Sequence, residues 1–118
     1  MKAFLAGKFV GADRSPLAYV GYHVGAKIGL TTWDRERRML VCFRINIPGK
    51  LREYRTWGGP ASRERLNAMH HHLLMLADMR RARPNYEMAV SEWQRDAYWL
   101  KAEVGDLAEK FAEHRVNF

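Results

Sequence analysis

The strongest constraint on this chain is an apolar repeat in its C-terminal half. Tyr86, Val90, Trp93, Ala97, Leu100, Val104, Leu107 and Phe111 recur in steps of four and three. That spacing sets all of them on one stripe of a helix, as in an a/d seam. Glu87, Glu92, Asp96, Glu103, Asp106 and Glu109 fall off the stripe. Acid pairs such as Glu92 and Asp96 are expected to be solvated surface. The pattern predicts a helix over 86–114, capped by Asn85 behind Pro84 and bent or interrupted near Gly105.

The preceding segment has the same grammar. Leu66, Met69, Leu73, Leu76 and Arg80 step by three and four, with Leu74, Met75 and Ala77 widening the apolar face. Ser62 suits an N-cap, and Arg80, Arg81 and Arg83 suit the negative end of a helix dipole. A helix over 62–82 is predicted. The short Arg83-Pro84-Asn85 link then favours an antiparallel hairpin with 86–114. The longer helix would outrun its partner, leaving Leu107 and Phe111 to be covered by the N-terminal segment or by a second copy of the chain. A homodimer through these two residues is the favoured expectation.

Ahead of the hairpin, Thr31 and Asp34 have the spacing of a weak capping box. The simplest reading is a helix over 32–44 that stops before Pro48-Gly49. The alternation from Val41 to Ile47 leaves a helix-to-strand switch open. The first thirty residues are punctuated by glycines. Ala3–Val10 and Leu17–Val24 read as strands of a small β-hairpin, with turn chemistry at Asp13-Arg14-Ser15-Pro16. Residues 48–60 read as a loop. The fold class is therefore mainly α, in a single domain over 1–118.

Charge divides the chain unevenly. Residues 1–60 carry 11 Lys and Arg against 4 Asp and Glu, whereas residues 61–118 carry 9 of each. The formal excess of +7 thus lies in the first half. A pI near 9.9 points to nucleic acid or an acidic protein surface. Arginine supplies 14 of the 20 cations, and its planar fork grips phosphate or carboxylate in a way lysine does not.

Other chemistry is poorly represented. A single cysteine, Cys42, rules out an internal disulfide framework and reads as a small core residue. His70-His71-His72 cannot converge on one ion, because adjacent helical residues point ~100° apart. No metal, cofactor or catalytic constellation is expected. The glycines from Gly21 to Gly29 match no nucleotide-binding fingerprint. No run approaches the ~20 apolar residues of a membrane span, and MKAFLAGKFVG lacks the apolar core of a signal peptide. A cytoplasmic, non-enzymatic protein is expected.

The most suggestive local signal is Lys50-Leu51-Arg52-Glu53-Tyr54-Arg55-Thr56-Trp57. Lys50, Arg52 and Arg55 suit phosphates, and Tyr54 and Trp57 suit unstacked bases. Arg35, Arg37, Arg38 and Arg44 would extend the patch. The competing reading packs Tyr54 and Trp57 on the helical core.

The stretch SPLAYVGYHVGAKIGLTTWDRERRML, from Ser15 to Leu40, resembles a module of uncharacterised bacterial and phage proteins. Similar features continue through Gly59-Pro60-x-Ser62-x-x-Arg65-Leu66 and through Ala89, Trp93, Asp96 and Trp99-Leu100. The resemblance implies a mobile-element setting and a helix at 32–44, with no known activity or active site. Two functions follow as expectations. One is a nucleic-acid-binding module that contacts phosphates. The other is a phage-encoded inhibitor or adaptor that binds a host nucleic-acid complex.

Overall fold

The computed structural model describes residues 14–25 and 29–106. The strand expected at Ala3–Val10 and the seam residues Leu107 and Phe111 lie outside them. The described residues are mainly α-helical, with no strand among them.

The first element, α1 (Pro16–Tyr19), corrects the strand expected over 17–24. The Ser15 hydroxyl accepts from the Leu17 amide, and Pro16 occupies a first-turn position where its missing N–H costs nothing. The segment thus begins as a capped helical turn. It reverses at Gly21, whose φ is +91°. A Cβ there would lie 2.9 Å from a guanidinium nitrogen of Arg38.

Helix α2 (Thr32–Arg44) starts as its sequence predicts. Thr31 accepts from the Asp34 amide, and its hydroxyl donates to the Asp34 carboxylate. Its buried residues, Arg35, Met39, Cys42 and Phe43, fall at i, i+4, i+7 and i+8, one helical face. The helix continues through Val41, so the helix-to-strand switch does not occur. Ile45 is extended, and the chain leads into Pro48. The expected loop at 48–60 is mostly a tight 3-10 segment, Gly49–Trp57, kinked at Leu51. It closes at Gly58, where φ is +78° and a Cβ would come within 2.5 Å of Glu64 Cβ.

Helix α3 (Arg63–Arg80) is capped by the Ser62 hydroxyl, which accepts from the Arg65 amide at 3.1 Å. It buries Leu66, Met69, Leu73, Leu76 and Ala77, the stripe read from the sequence. Asn85 does not cap the next helix. It turns the chain with φ +71°, and Tyr86 takes the N-cap position without a side-chain bond. Helix α4 (Glu87–Trp99) runs on through a π-helical turn, Leu100–Val104, and stays helical at Gly105 and Asp106.

The main interface of the fold is between α3 and α4. One core gathers Leu17, Tyr22, Met39, Phe43, Met69, Leu73, Leu100 and Val104. Cys42 is buried within it, as a small core residue. Trp93, midway along α4, packs against this core while only half-buried, and the buried residues of α4 are Ala89, Asp96 and Ala97.

Two histidines make stability depend on pH. Burial, and next Arg38, lowers the pKa of His23. Burial, then Lys101 and His71, lowers that of His70. The folded state favours both neutral imidazoles. Their contribution is complete above the unfolded value of ~6.5 and is lost as pH falls through the lower folded values. Urea midpoints should therefore drop between about pH 7.5 and about pH 5.5. A His23→Gln, His70→Gln variant should flatten that drop, and an unchanged drop would contradict this assignment.

Candidate nucleic-acid interface

The site is built around an arginine. Arg65, in the first turn of α3, is only 1% exposed. Its Nη1 donates to the carbonyls of Cys42 at 2.7 Å and Ile45 at 2.9 Å. Its Nε donates to Trp57 O and its Nη2 to Gly58 O at 2.8 Å. These acceptors sit at the C-terminal ends of α2 and of the 3-10 segment. Carbonyls there lack intrahelical donors and carry partial negative charge. One guanidinium therefore staples two helix ends to the start of a third. No carboxylate among the described residues forms an ion pair with it. Desolvation by burial lowers its pKa, though a guanidinium remains charged.

Arg65 lines a cavity of about 460 Å³. The other walls are the Asn46–Gly49 turn, Leu51, Arg52, Arg55 and Gly58–Pro60. No acidic residue is among them. Arg52 and Arg55 are exposed at this cavity, and Arg55 Nε donates back to Arg52 O at 3.2 Å. The surrounding segment from Arg44 to Arg65 holds six cations against Glu53 and Glu64. The arrangement can hold an anion at two exposed guanidiniums over one fixed, buried guanidinium.

The remaining expected contacts divide. Arg44 and Lys50 are exposed on segments leading into the cavity wall, and Lys50 Nζ lies 5.5 Å from the Tyr19 ring centroid. Arg37 and Arg38 are exposed midway along α2, about 10 Å along its axis from Arg44. Arg37 stacks on Trp33 at 4.5 Å, and Arg38 donates to Val20 O at 3.1 Å.

Comparison with known protein families, curated proteins and solved structures returned no match.

Chemistry and geometry therefore carry the functional reading, and they remove three residues from the expected surface. Arg35 is 2% exposed, and its Nε donates to Asp96 Oδ2 at 2.7 Å. It also reaches Glu92 and the Leu30 carbonyl. Trp57 is buried, and Tyr54 is half-buried. Their rings meet edge-on at 5.5 Å, and both contact His72 on α3. The aromatics dock the 3-10 segment on the helical core and leave the cations outside. Of the other two histidines in the His70–His72 run, His71 is exposed and His70 half-buried. No group of His, Cys, Asp and Glu among the described residues is placed to hold a metal.

Sequence reasoning missed Arg65 because it sat one position before a seam leucine and resembled a solvated first-turn cation. One signal was available. It is limited to the turn and cap at Gly58–Ser62, placed just ahead of Arg65. No described helix is long and apolar enough to cross a membrane.

Proposed function

We propose that this chain is a small nucleic-acid-binding protein, of the phage or mobile-element kind its sequence resembles. Arg44, Lys50, Arg52 and Arg55 contact phosphates, and the cavity is the centre of the contact. The observation that carries this reading is the acid-free cavity with exposed Arg52 and Arg55 over the buried Arg65. Arginine forks suit phosphate oxygens, and a concave basic site raises the local concentration of a polyanion. The docked Tyr54 and Trp57 favour contacts to phosphate over stacking on bases. In this reading α3 and α4 form an antiparallel hairpin that serves as a rigid frame, and Arg65 fixes the 3-10 segment to it. Catalysis is not part of the proposal.

Salt dependence tests it. Each phosphate neutralised contributes about 0.9 to the logarithmic salt slope on B-DNA, or about 0.7 on a single strand. Arg52→Ala, Arg55→Ala should weaken binding and flatten the slope by roughly 1.4 to 1.8 if each arginine meets one phosphate. A full slope retained by the variant would place the contact elsewhere. Absence of nucleic-acid binding, with a salt-tolerant complex formed with one acidic protein, would favour the inhibitor or adaptor reading.

A further inference from the structure

We propose that the cavity receives a terminal phosphate monoester, the end of a nucleic-acid strand, in preference to a bridging phosphodiester. This rests on the nucleic-acid reading for the source of the phosphate. The preference for a monoester comes from the cavity itself.

Charge is the first argument. Arg52, Arg55 and Arg65 all line one space, and no acidic residue lines it with them. The two helix ends facing Arg65 together offset about one unit, which leaves about two positive charges for a ligand. A bridging diester brings one negative charge, whereas a monoester brings about −1.5 to −2 near neutral pH. The dianion is the closer match to such a site.

Donor geometry is the second. Four of the five guanidinium N–H groups of Arg65 are accounted for by Trp57, Cys42, Ile45 and Gly58. Phe43 O, at 3.5 Å, shares Nη1 with the Cys42 and Ile45 carbonyls. Arg65 is 1% exposed and held by these carbonyls, so it adds fixed charge to the cavity wall, while the exposed Arg52 and Arg55 supply the donors that a ligand can reach. A monoester presents three terminal oxygens, enough for the forks of Arg52 and Arg55 together.

Shape is the third argument. The space is a cavity of about 460 Å³ walled by the Asn46–Gly49 turn on one side and Gly58–Pro60 on another. That volume lies within the usual range for a small-ligand pocket, ~300–1,000 Å³. An open pocket of this size has room for a strand end with its terminal phosphate.

The test uses the full chain and one short single strand prepared with a 5′-phosphate, with a 3′-phosphate or with hydroxyls at both ends. Nucleoside monophosphate and inorganic phosphate serve as competitors. A phosphorylated end should bind at least about tenfold tighter than the hydroxyl-ended strand near neutral pH. The preference should shrink below about pH 6, where the monoester takes up its second proton. Arg52→Ala, Arg55→Ala should remove it. Both residues are exposed, so the variant should keep its fold, and an unchanged melting curve checks this. Strong competition by nucleoside monophosphate supports the monoester, and whichever of the two phosphorylated ends wins identifies the end that enters. Equal binding of phosphorylated and hydroxyl-ended strands overturns this inference and leaves the proposed function standing. Binding of nucleoside monophosphate but of no strand overturns the proposed function and keeps the monoester site. Failure of every phosphate-bearing probe overturns both.

Discussion

Replacing Asp96 with Ala should destabilise the protein by on the order of 3–5 kcal/mol, the usual result of removing one partner from a buried ion pair. Asp96 is fully buried in the last turn of α4. Its carboxylate accepts from Arg35 Nε at 2.7 Å, from Tyr22 Oη at 2.8 Å and from Arg95 Nη1 at 3.1 Å. Glu92 adds a second acid, pairing with Arg35 and accepting from the Gly25 amide at 2.9 Å. These bonds tie the segment around Tyr22 and Gly25 to α2 and α4 at once. Loss of Asp96 leaves the Arg35 guanidinium buried with Glu92 as its remaining acid among the described residues. Glu92→Gln should cost less, because the Glu92 side chain is 24% exposed and Asp96 keeps its bonds to Arg35. Urea denaturation of the two variants checks the order. An Asp96→Ala midpoint equal to wild type would contradict the assignment.

Arg65→Met should cost a comparable amount, again on the order of 3–5 kcal/mol, for a different reason. Met fills much of the same volume but donates nothing. The carbonyls of Cys42, Ile45, Trp57 and Gly58 would lose their donor at once. Buried acceptors left unpaired carry the desolvation penalty without the compensating bond. Arg65→Lys should fall between, since an ammonium has three donors and no planar fork. The structural consequence should be local as well as global. With its staple gone, the segment containing Lys50, Arg52 and Arg55 should become accessible to trypsin before the helices do. Equal tryptic stability of wild type and Arg65→Met would show that the arginine does not hold the segment.

These two residues also mark where sequence and structure part company. Helix α3 was legible because Ser62 and the Leu66–Leu76 stripe agree in phase, and α2 because Thr31 and Asp34 cap it. Both depend on neighbours within a few residues. Asp96 and Arg35 were read as surface charges, and each is buried only because the other is, across 61 positions of sequence. Local periodicity carries no information on such a pair. The strand expected at Leu17–Val24 fails because Ser15-Pro16, which reads as turn chemistry, is equally a helix-start signal. At the candidate site, Arg52 and Arg55 were legible as an exposed basic run. Tyr54 and Trp57 were legible only as two alternatives, and contact with His72 decides between them. Arg65 was the residue hardest to foresee. Its role follows from where two helix ends stop, which is a tertiary fact.

Phosphate binding at the cavity of Arg52, Arg55 and Arg65 can be followed by an NMR titration of the isotopically labelled full chain with a short single-stranded oligonucleotide. The largest shifts are expected at the amides of Asn46, Gly49, Arg52, Arg55, Gly58 and Gly59, together with the Nε resonance of Arg65. Shifts confined to the outer faces of α3 and α4, or a spectrum that the oligonucleotide leaves unchanged, would contradict it.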